Sequence, residues 1–429
     1  MLTEELQIAE RARKHKQEAL TNLHQFIDVG HLEKSYRELN KKSASGVDGE
    51  DWYSYQMDLS QRLTKLLSEF KGGSYRAPAI RRVYVPKNGD GKRPIGISTV
   101  EDKILQGSIR RVLNPIYEEE FKECSYGFRR GRSAHQAIEQ LYRKVSYEGM
   151  HYIIDADIKS YFDSISHGKL RGFLDLRVKD GKIRKMIDKW LKAGILEDKS
   201  IRYPKVGTPQ GGLISPLLSN IYLHYVLDEW FIEQIQPLLS GKSFIIRYAD
   251  DFILGFENIR DAKRVIEVLP KRFGKYNLEL HKEKTKLIDL HSKRGEGERS
   301  FEFLGFSHYL GRSRKGKEIL KRKTSRRKLN QALKKISDWI KMNRHRKLKE
   351  LISDINLKLS GHYNYYGITF NSKGINSFYE QVRRILQKWL NRRGGKRVWN
   401  WDRYEEFINF WIPLLKPKIY HSYRKANPT

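Results

Sequence analysis

The chain has 429 residues, with 84 Lys and Arg against 51 Asp and Glu, and its formal net charge is +33. This excess predicts a polyanionic partner, nucleic acid first of all, and residues 301–429 carry most of it, with 31 basic against 9 acidic side chains. The single Cys124 excludes a disulfide framework and a cysteine-based zinc site, and no apolar run approaches the roughly 20 residues of a membrane-spanning helix, so we expect an intracellular protein without a membrane partner.

The first hundred residues predict helices and then a β-hairpin. Apolar residues at helical spacing indicate helices over 3–27, 31–42 and 56–70. A strand pattern over 79–97, broken by a glycine-rich turn, predicts the hairpin. Its tip region carries Lys87, Lys92 and Arg93. These bases either decorate a solvated turn or form a finger that holds a triphosphate through point charges and an Arg fork.

A basic loop punctuated by glycine follows the helix predicted for 99–121. It places Arg129, Arg130 and Arg132 just before a helix that starts near Ser133. A basic loop at a helix N-terminus can hold phosphate through side chains and backbone N–H groups together. The three arginines are therefore candidate RNA-binding residues.

The stretch 152–166 combines a short apolar strand with three aspartates, Asp155, Asp157 and Asp163. Residues two apart in a strand share one face, so periodicity alone does not separate Asp155 from Asp157. Farther on, a glycine-rich loop at Gln210 precedes a long apolar helix within 205–231. This loop either lets backbone approach a ligand closely or is a plain helix entry.

Two adjacent carboxylates, Asp250 and Asp251, form the polar tip of a second predicted hairpin, 244–256. Adjacent aspartates often only make a turn. Here the flanking runs are apolar, and burying two like charges is costly unless cations compensate. Mg²⁺ prefers a few carboxylates plus substrate phosphates. The pattern therefore predicts a magnesium site that also recruits an aspartate from 152–166.

Carboxylates from a strand end and a hairpin tip can converge at one edge of a small sheet. Two Mg²⁺ ions held there would lower the pKa of an attacking hydroxyl and neutralise a leaving pyrophosphate. A basic, aromatic-rich module after the sheet would hold a duplex by its phosphates. Together these features predict template-directed nucleotidyl transfer.

In the last third of the chain the predicted elements change from strands to long helices, and we place a domain boundary at 312–324. Strands are predicted over 278–288 and 301–309, and long basic helices over 325–342, 345–360 and 374–392. Basic side chains crowd the start of the first of these helices: Lys321, Arg322, Lys323, Arg326, Arg327 and Lys328. They are candidate RNA-binding residues. The tyrosines of 363–366 either stack on unpaired bases or pack the core.

The ordered blocks GVDG, RPIGI, SYGFRRGRSAHQAI, DIKSYFD, GTPQGG, YADD, HKEKTK and FEFLGF make the chain recognisable. From about residue 34 to the C-terminus it resembles reverse transcriptases, and among them the bacterial group II intron-encoded reverse transcriptase/maturases. The resemblance implies an α+β fold: a right-hand polymerase of fingers and palm with an all-α thumb/maturase domain. It implies an RNA-directed DNA polymerase with a two-metal mechanism and Mg²⁺ as cofactor, for which Mn²⁺ is a substitute.

The resemblance also implies roles for individual residues. The catalytic aspartates are Asp157, Asp250 and Asp251, with the Ile158 carbonyl as a further metal ligand. Nucleotide-binding positions are Lys87, Arg93, Phe162 and Gln210, where Phe162 excludes a 2′-OH. Asp163 is expected to orient the helix start.

For domains we expect an N-terminal helical extension (1–42), fingers (43–150), a palm that includes part of the fingers (151–311), an α-helical thumb/maturase domain (312–395) and a basic, Trp-rich tail (396–429). Group II maturases often add an endonuclease domain with paired Cys and His. With one cysteine before the end at Thr429, this chain is expected to be a form that lacks it.

The expected function is that of an intron-encoded polymerase that binds intron RNA and promotes its splicing and retrohoming. Its partners are an RNA template and primer, dNTPs, group II intron RNA and target DNA, in a cytoplasmic ribonucleoprotein. One alternative is a domesticated group II-like enzyme in DNA repair or phage defence. Another, an RNA-folding cofactor with a dead site, is weakened by the intact aspartates.

Overall fold

The structure, a computed structural model, describes residues 3–86, 91–197, 200–203, 206–208, 211–292, 298–393 and 398–423. It is a mixed α/β chain that divides into two compact units, residues 1–137 with 152–287 and residues 138–151 with 288–429. The candidate residues Lys87 and Gln210 lie outside the described ranges. No helix within these ranges is both long and apolar enough to cross a membrane.

The helices follow one another in chain order. They are α1 (Thr3–Lys14), α2 (Val29–Arg37), α3 (Trp52–Gln56), α4 (Leu59–Gly72), α5 (Val100–Glu118), α6 (Ala134–Glu148), α7 (Tyr161–Ser164), α8 (His167–Asp175), α9 (Gly181–Leu191), α10 (Ser215–Leu223), α11 (Ile259–Gly274), α12 (Arg326–Asn343), α13 (Leu348–Tyr366), α14 (Ser372–Leu390) and α15 (Trp401–Glu406). Short 3₁₀ or π segments are Leu23–Phe26, His224–Asp228, Trp230–Ile235, Gln236–Leu238 and Phe407–Trp411.

The strands form three sheets. They are β1 (Ile80–Pro86), β2 (Lys92–Ile97), β3 (Tyr152–Asp157), β4 (Ile195–Glu197), β5 (Ser200–Arg202), β6 (Ser243–Tyr248), β7 (Asp251–Phe256), β8 (Lys286–Asp289), β9 (Ser300–Phe303), β10 (Phe306–Arg312) and β11 (Glu318–Thr324). Their orders are β2-β1-β4-β5, β6-β7-β3-β8 and β11-β10-β9. Both predicted hairpins, β1–β2 and β6–β7, are confirmed as antiparallel pairs.

The N-terminal helix is shorter than predicted. Helix α1 ends at Lys14 rather than near residue 27. The chain then turns, because the Leu20 N–H donates to the Arg177 carbonyl at 2.9 Å and Asn22 takes a left-handed φ of 57°. Long-range pairing therefore overrides the helical periodicity of this stretch.

The stretch 278–324 also differs from the prediction. The expected strand 301–309 is a hairpin of β9 and β10, joined at Leu304 and Gly305 with φ of 50° and 80°. The boundary placed at 312–324 falls largely on β11, which pairs with β10 within the second unit. The alternation that marks a strand was hidden there, because an inward position of β11 carries the charged Arg322.

Each unit has its own apolar core. In the first, α5 is buried along most of its length and shares one core with the inner face of the sheet β6-β7-β3, against which α11 packs. In the second, α12, α13 and α14 pack together through Leu333, Ile336, Ile340, Leu351, Ile355, Leu359, Val382 and Leu386. The first core is therefore the support on which the carboxylate-bearing strands rest.

A buried carboxylate, Asp102 on α5, gives the first unit an unusual pH response. Its Oδ1 accepts from the Tyr75 hydroxyl at 3.0 Å and from Trp190 Nε1 at 2.9 Å. Burial nevertheless raises the pKa of Asp102 from 3.8 to about 6 against these two hydrogen bonds. The folded state thus binds this proton more tightly than the unfolded state, so stability falls as pH rises from about 4 through 6.

We expect Asp102→Asn to remove this component, since an amide oxygen still accepts both hydrogen bonds and carries no charge. The wild-type free energy of unfolding should lose up to about 3 kcal/mol relative to the variant between pH 4 and pH 7. Urea unfolding of both proteins across this range measures the difference, in which other titrating groups cancel. Asp180→Asn is the control for which the difference in unfolding free energy should change with pH in the opposite direction, because the pKa of Asp180 is lowered in the folded state. Parallel curves for wild type and Asp102→Asn would contradict the prediction.

Candidate active site

The turn of the β6–β7 hairpin carries the two adjacent carboxylates. Tyr248 pairs with Asp251 across a two-residue turn of Ala249 and Asp250. The apolar runs of both strands are buried, whereas the Asp251 side chain is exposed. Ala249 has a left-handed φ of 59°, which costs an L-residue about 1 kcal/mol. Neighbouring contacts must therefore hold the turn in this conformation.

Arg247, fully buried beneath the turn, provides such contacts. Its Nη1 donates to the Ala249 carbonyl and to Asn220 Oδ1, both at 2.9 Å. Its Nε and Nη2 donate to the Asp228 carboxylate at 2.8 and 2.5 Å, and Nη2 also donates to Ser125 Oγ at 2.8 Å. Burial lowers the pKa of Arg247, but the buried Asp228 carboxylate outweighs it and raises the pKa. A charged guanidinium thus fixes the backbone of the turn.

Gly127 lets a second loop close on the same turn. A Cβ at this position would lie 2.3 Å from the Ala249 nitrogen, so only glycine permits the approach. Asn220 Nδ2 donates to the Gly127 carbonyl at 2.7 Å, and the Tyr126 N–H donates to the Arg247 carbonyl at 2.8 Å. The loop and the hairpin therefore support each other.

Strand β3 brings in the third carboxylate. In the antiparallel register Asp157 lies opposite Asp251, at the end of the ladder. Asp155 lies opposite Ile253, two residues farther into the strand. Ile158, which follows Asp157, is buried. The register brings Asp157 and Asp251 together and leaves Asp155 away from the hairpin turn.

Electrostatics distinguish Asp250 from an ordinary turn aspartate. Burial raises the pKa of Asp250 and the Asp157 carboxylate raises it further, whereas Arg93 and Arg247 lower it. The interaction with Asp157 also means that the two carboxylates sense each other's charge. A cation between them would relieve both the burial and the repulsion.

The ammonium group of Lys284 already acts as such a cation for one carboxylate. Its Nζ lies 2.7 Å from Asp157 Oδ2, and both side chains are about half exposed. Within the described residues, no group of three or more His, Cys, Asp or Glu side chains is arranged to hold a metal ion. The donors still fit one, because the site offers the carboxylate oxygens that Mg²⁺ prefers and already attracts a positive charge.

Helix α7 places Phe162 and Asp163 next to the glycine-rich loop. The Thr208 N–H donates to the Phe162 carbonyl at 2.7 Å, and a Cβ at Gly207 would lie 3.0 Å from Asp163 Cα. Burial raises the pKa of Asp163, while Arg82 and Arg93 lower it. The positive charge of Arg93 thus lowers the pKa of both Asp163 and Asp250.

The basic loop at 129–132 does not present three equivalent arginines. Arg129 is buried and donates to the Glu118 carboxylate at 3.0 Å and to the Ser125 carbonyl at 2.9 Å, so the proposal that it binds RNA is wrong for this conformation. Its fork stabilises the loop instead. Arg130 pairs with Glu5 at 3.1 Å and remains exposed. Arg132 pairs with Glu123 at 2.5 Å.

Arg322 also departs from the prediction, since its side chain is 0% exposed. Its guanidinium lies over the rings of Tyr142, Phe370 and Tyr423, at 5.7, 5.9 and 4.8 Å from their centroids. No hydrogen-bond partner is found for any of its nitrogens among the described residues. Burial lowers the pKa of Arg322 to about 9. An RNA contact through this side chain is therefore excluded in this conformation.

The other predicted bases of this segment are accessible to different degrees. Lys323, Arg326 and Arg327 are exposed, and Lys321 and Lys328 are half-buried. Lys321 and Lys323 lie on β11, not at a helix start. Arg326 begins α12, whose N-cap Ser325 accepts from the Lys328 N–H. Arg326 and Arg327 are thus the exposed candidate RNA-binding residues at the helix start, beside the half-buried Lys328.

The packing alternative is confirmed for Tyr363, whereas Tyr365 and Tyr366 are half-buried and pack against the core of the second unit. Tyr363 is fully buried and donates to the Leu415 carbonyl at 3.2 Å. Tyr365 donates to the Leu304 carbonyl at 2.8 Å, and the Tyr366 ring lies 4.6 Å from that of His362.

Sequence reasoning missed three residues of this site. Arg247 could have been identified from the sequence, because a single charged residue within an apolar strand requires a buried partner. Lys284 lies in the HKEKTK block, but nothing local connects it to Asp157. The role of Gly127 depends on tertiary contact and has no local signal.

Comparisons with known proteins identify the family of this chain. Residues 85–308 match the family model "Reverse transcriptase (RNA-dependent DNA polymerase)", and residues 329–405 match "Group II intron, maturase-specific domain". The first match spans about half of the chain and includes all three aspartates.

Similar full-length proteins extend this result. The chain is 30% identical to the group II intron-encoded protein LtrA of Lactococcus lactis subsp. cremoris, over 86% of this chain and 75% of the relative. It is 32% identical to protein YkfC of Escherichia coli, over 63% and 77% respectively. A putative COX1/OXI3 intron 2 protein of Saccharomyces cerevisiae is 26% identical over 88% and 48%. The chain therefore belongs to the group II intron-encoded proteins that join a reverse transcriptase domain to a maturase-specific domain.

Proposed function

We propose that this chain is the RNA-directed DNA polymerase of a group II intron and that it also binds the intron RNA and promotes its splicing and retrohoming. The observation that carries the proposal is the register of the central sheet. It sets Asp157 opposite Asp251 beside the turn that holds Asp250, within the matched reverse transcriptase domain. The sheet β6-β7-β3-β8 is then the palm and the β1–β2 hairpin part of the fingers. Helices α12, α13 and α14 are the thumb.

In this proposal Asp157, Asp250, Asp251 and the Ile158 carbonyl would hold two Mg²⁺ ions, for which Mn²⁺ would be a substitute. The ions supply Lewis-acid activation of the primer hydroxyl and charge neutralisation of the pyrophosphate. The chain's own contribution is to orient the carboxylates, through the β3–β7 ladder and the Arg247 network. Lys284 would be displaced from Asp157.

The residues around the carboxylates would select the nucleotide. Lys87 and Arg93 would hold the triphosphate of the incoming dNTP, and Gln210 would line its pocket. Phe162 would exclude a 2′-hydroxyl by steric overlap. Support for Arg93 is its electrostatic influence on both Asp250 and Asp163.

Primer extension by the purified chain on an RNA template tests the polymerase. We expect dNTP incorporation that requires Mg²⁺, stops on chelation and resumes when Mg²⁺ or Mn²⁺ is added. A DNA template of the same sequence and a reaction without dNTPs are the controls. A folded chain that extends no RNA-templated primer at any Mg²⁺ concentration would overturn the proposal.

Gly127→Ala should lower the rate of DNA synthesis by about 10²-fold, because the added Cβ displaces the hairpin turn by a distance on the order of 1 Å. Single-turnover extension at saturating dNTP measures the loss, with thermal unfolding to establish that the variant folds. Gly168→Ala is the matched control, since no heavy atom lies within 4 Å of the new Cβ in helix α8. A Gly127→Ala enzyme as fast as Gly168→Ala would show that the turn tolerates the displacement.

RNA binding by the second unit is tested at the start of α12. Neutralising Arg326 and Arg327 to Gln should weaken binding of structured intron RNA and reduce the slope of log K against log salt by up to about 2, because fewer counterions are released. Arg37→Gln with Lys65→Gln removes the same charge from exposed positions of the first unit and should change the slope less. Equal slopes for both double variants would place the RNA elsewhere.

A further inference from the structure

A lysine-rich cleft lies in the first unit, lined by none of the catalytic carboxylates or nucleotide-binding candidates described above. It forms where the 3₁₀ turn Leu23–Phe26, the end of α4 and the start of α9 meet, and its volume is about 820 Å³. That volume is in the range of sites that enclose a nucleotide-sized ligand. Its cationic lining comes from several segments: Lys71, Lys179, Lys182, Lys185 and Lys189, with His24 beside them.

The acidic side chains of this cleft are already engaged by the protein. Asp180 is buried and caps α9, accepting from the Lys182 and Ile183 N–H groups at 3.0 Å, and it also bonds His24 Nδ1 at 2.8 Å. Burial raises the pKa of Asp180, but these hydrogen bonds outweigh it and lower the pKa. The carboxylate thus stays ionised and satisfied. It also occupies the start of α9, so the cleft offers side-chain cations rather than free backbone N–H groups.

The second carboxylate, Asp188, accepts from Arg171 Nε at 2.6 Å. Of the lysines, Lys189 donates to the carbonyls of Gly73 and Tyr75 at 2.9 and 2.5 Å. No ion pair joins Lys71, Lys179, Lys182 or Lys185 to an acidic group anywhere in the described part of the chain. Lys179, Lys182 and Lys185 are exposed at the cleft. Uncompensated ammonium groups around a concave space repel one another unless an anion lies between them.

The chemistry of the lysine ammonium groups indicates that the anion is a phosphate. Ammonium groups on flexible stems are point charges with rotating donors, and they bind phosphates without demanding planar, bidentate geometry. Gly73 and Gly181 lie along the same cleft, and a Cβ at either position would meet no heavy atom within 4 Å. The entrance is therefore not closed by side chains at these positions.

We propose that this cleft binds consecutive phosphates of an RNA backbone, as a second nucleic-acid site outside the catalytic centre. The ligand class rests on the proposed function, which makes RNA the polyanion that this chain meets. A free nucleotide or polyphosphate shares the same phosphate chemistry and is the competing source. In the RNA-bound protein the cleft anchors RNA that lies beyond the primer–template at the carboxylates.

The test is the full chain with Lys179→Gln, Lys182→Gln and Lys185→Gln combined. We expect the Kd for a structured RNA of the intron type to rise at least tenfold at 0.15 M salt, and the log–log salt slope to fall by about 2 to 3. Extension of a short, saturating primer–template should keep its wild-type kcat. The matched control neutralises Lys65, Lys263 and Lys271, which are exposed on α4 and α11. Wild-type Kd and slope in the cleft variant would overturn the inference.

Lysine acetylation of the wild-type chain gives a measurement that does not depend on a variant folding. Lys182 and Lys185 should be protected by RNA and reacted in its absence, while Lys263 reacts in both. Protection by ATP or inorganic tripolyphosphate at micromolar concentration, with none by RNA, would overturn the assignment to RNA. The readouts also separate the two proposals. A wild-type chain that binds RNA through the cleft but extends no primer refutes the polymerase alone, and a working polymerase with an unprotected cleft refutes only the cleft.

Discussion

Asp250→Asn is expected to lower the rate of RNA-templated DNA synthesis by several orders of magnitude without unfolding the protein. The amide keeps the size of the side chain and one acceptor oxygen but removes the charge that would hold a metal ion, and a lost metal-held transition state is worth several kcal/mol. Stability should be equal or higher at neutral pH. The reason is that burial and Asp157 raise the pKa of Asp250, so its ionised form costs the folded state free energy.

Single-turnover primer extension and urea unfolding, run on the same preparation, measure the two effects. Asp163→Asn is the matched control, because this carboxylate also has a pKa raised by burial but lies on α7 and is not part of the hairpin turn. It should retain most of the activity. Near-normal extension by Asp250→Asn would remove the hairpin carboxylates from the catalytic role.

Asp157→Ala should abolish synthesis, whereas Asp155→Ala should leave measurable activity and act mainly on stability. Asp155 and Asp157 lie two residues apart on the same face of β3. The expected difference between the two variants therefore depends only on how β3 pairs with β7. Asp157 is paired with Asp251 at the hairpin turn, and Asp155 is paired with Ile253 inside the sheet. Extension rates of the two variants, each normalised to its folded fraction, decide between them. If the losses are reversed, Asp155 is the catalytic partner.

The central hairpin could be predicted because its information is local. Two apolar runs around a polar tip specify both strands, and the register then follows from the two-residue turn at Ala249 and Asp250. Local sequence patterns do not distinguish Asp155 from Asp157. Period-two alternation places both on one face, and only the pairing with β7 distinguishes them.

Long-range contacts explain most of what could not be predicted. Arg247 finds Asp228 and Ser125 from distant parts of the sequence, and Gly127 is required only because a separate hairpin passes beside it. The prediction that Arg322 is exposed, which is based on the basic run around it, is wrong for a different reason. A guanidinium in a basic run predicts exposure, but aromatic rings of the folded unit enclose this one.

The ion pair between Lys284 and Asp157 has a consequence for the resting enzyme. With this ammonium as counter-ion, the charge of Asp157 is compensated, which reduces the electrostatic repulsion between the neighbouring carboxylates. Loading of the proposed divalent ion would then exchange the Lys284 ammonium for Mg²⁺ rather than fill an uncompensated anionic site. Because both side chains are about half exposed, the pair contributes at most about 1 kcal/mol, which would lower apparent metal affinity by less than tenfold. A tethered cation of this kind would let the proposed site release and reload its ion while the sheet edge keeps its shape.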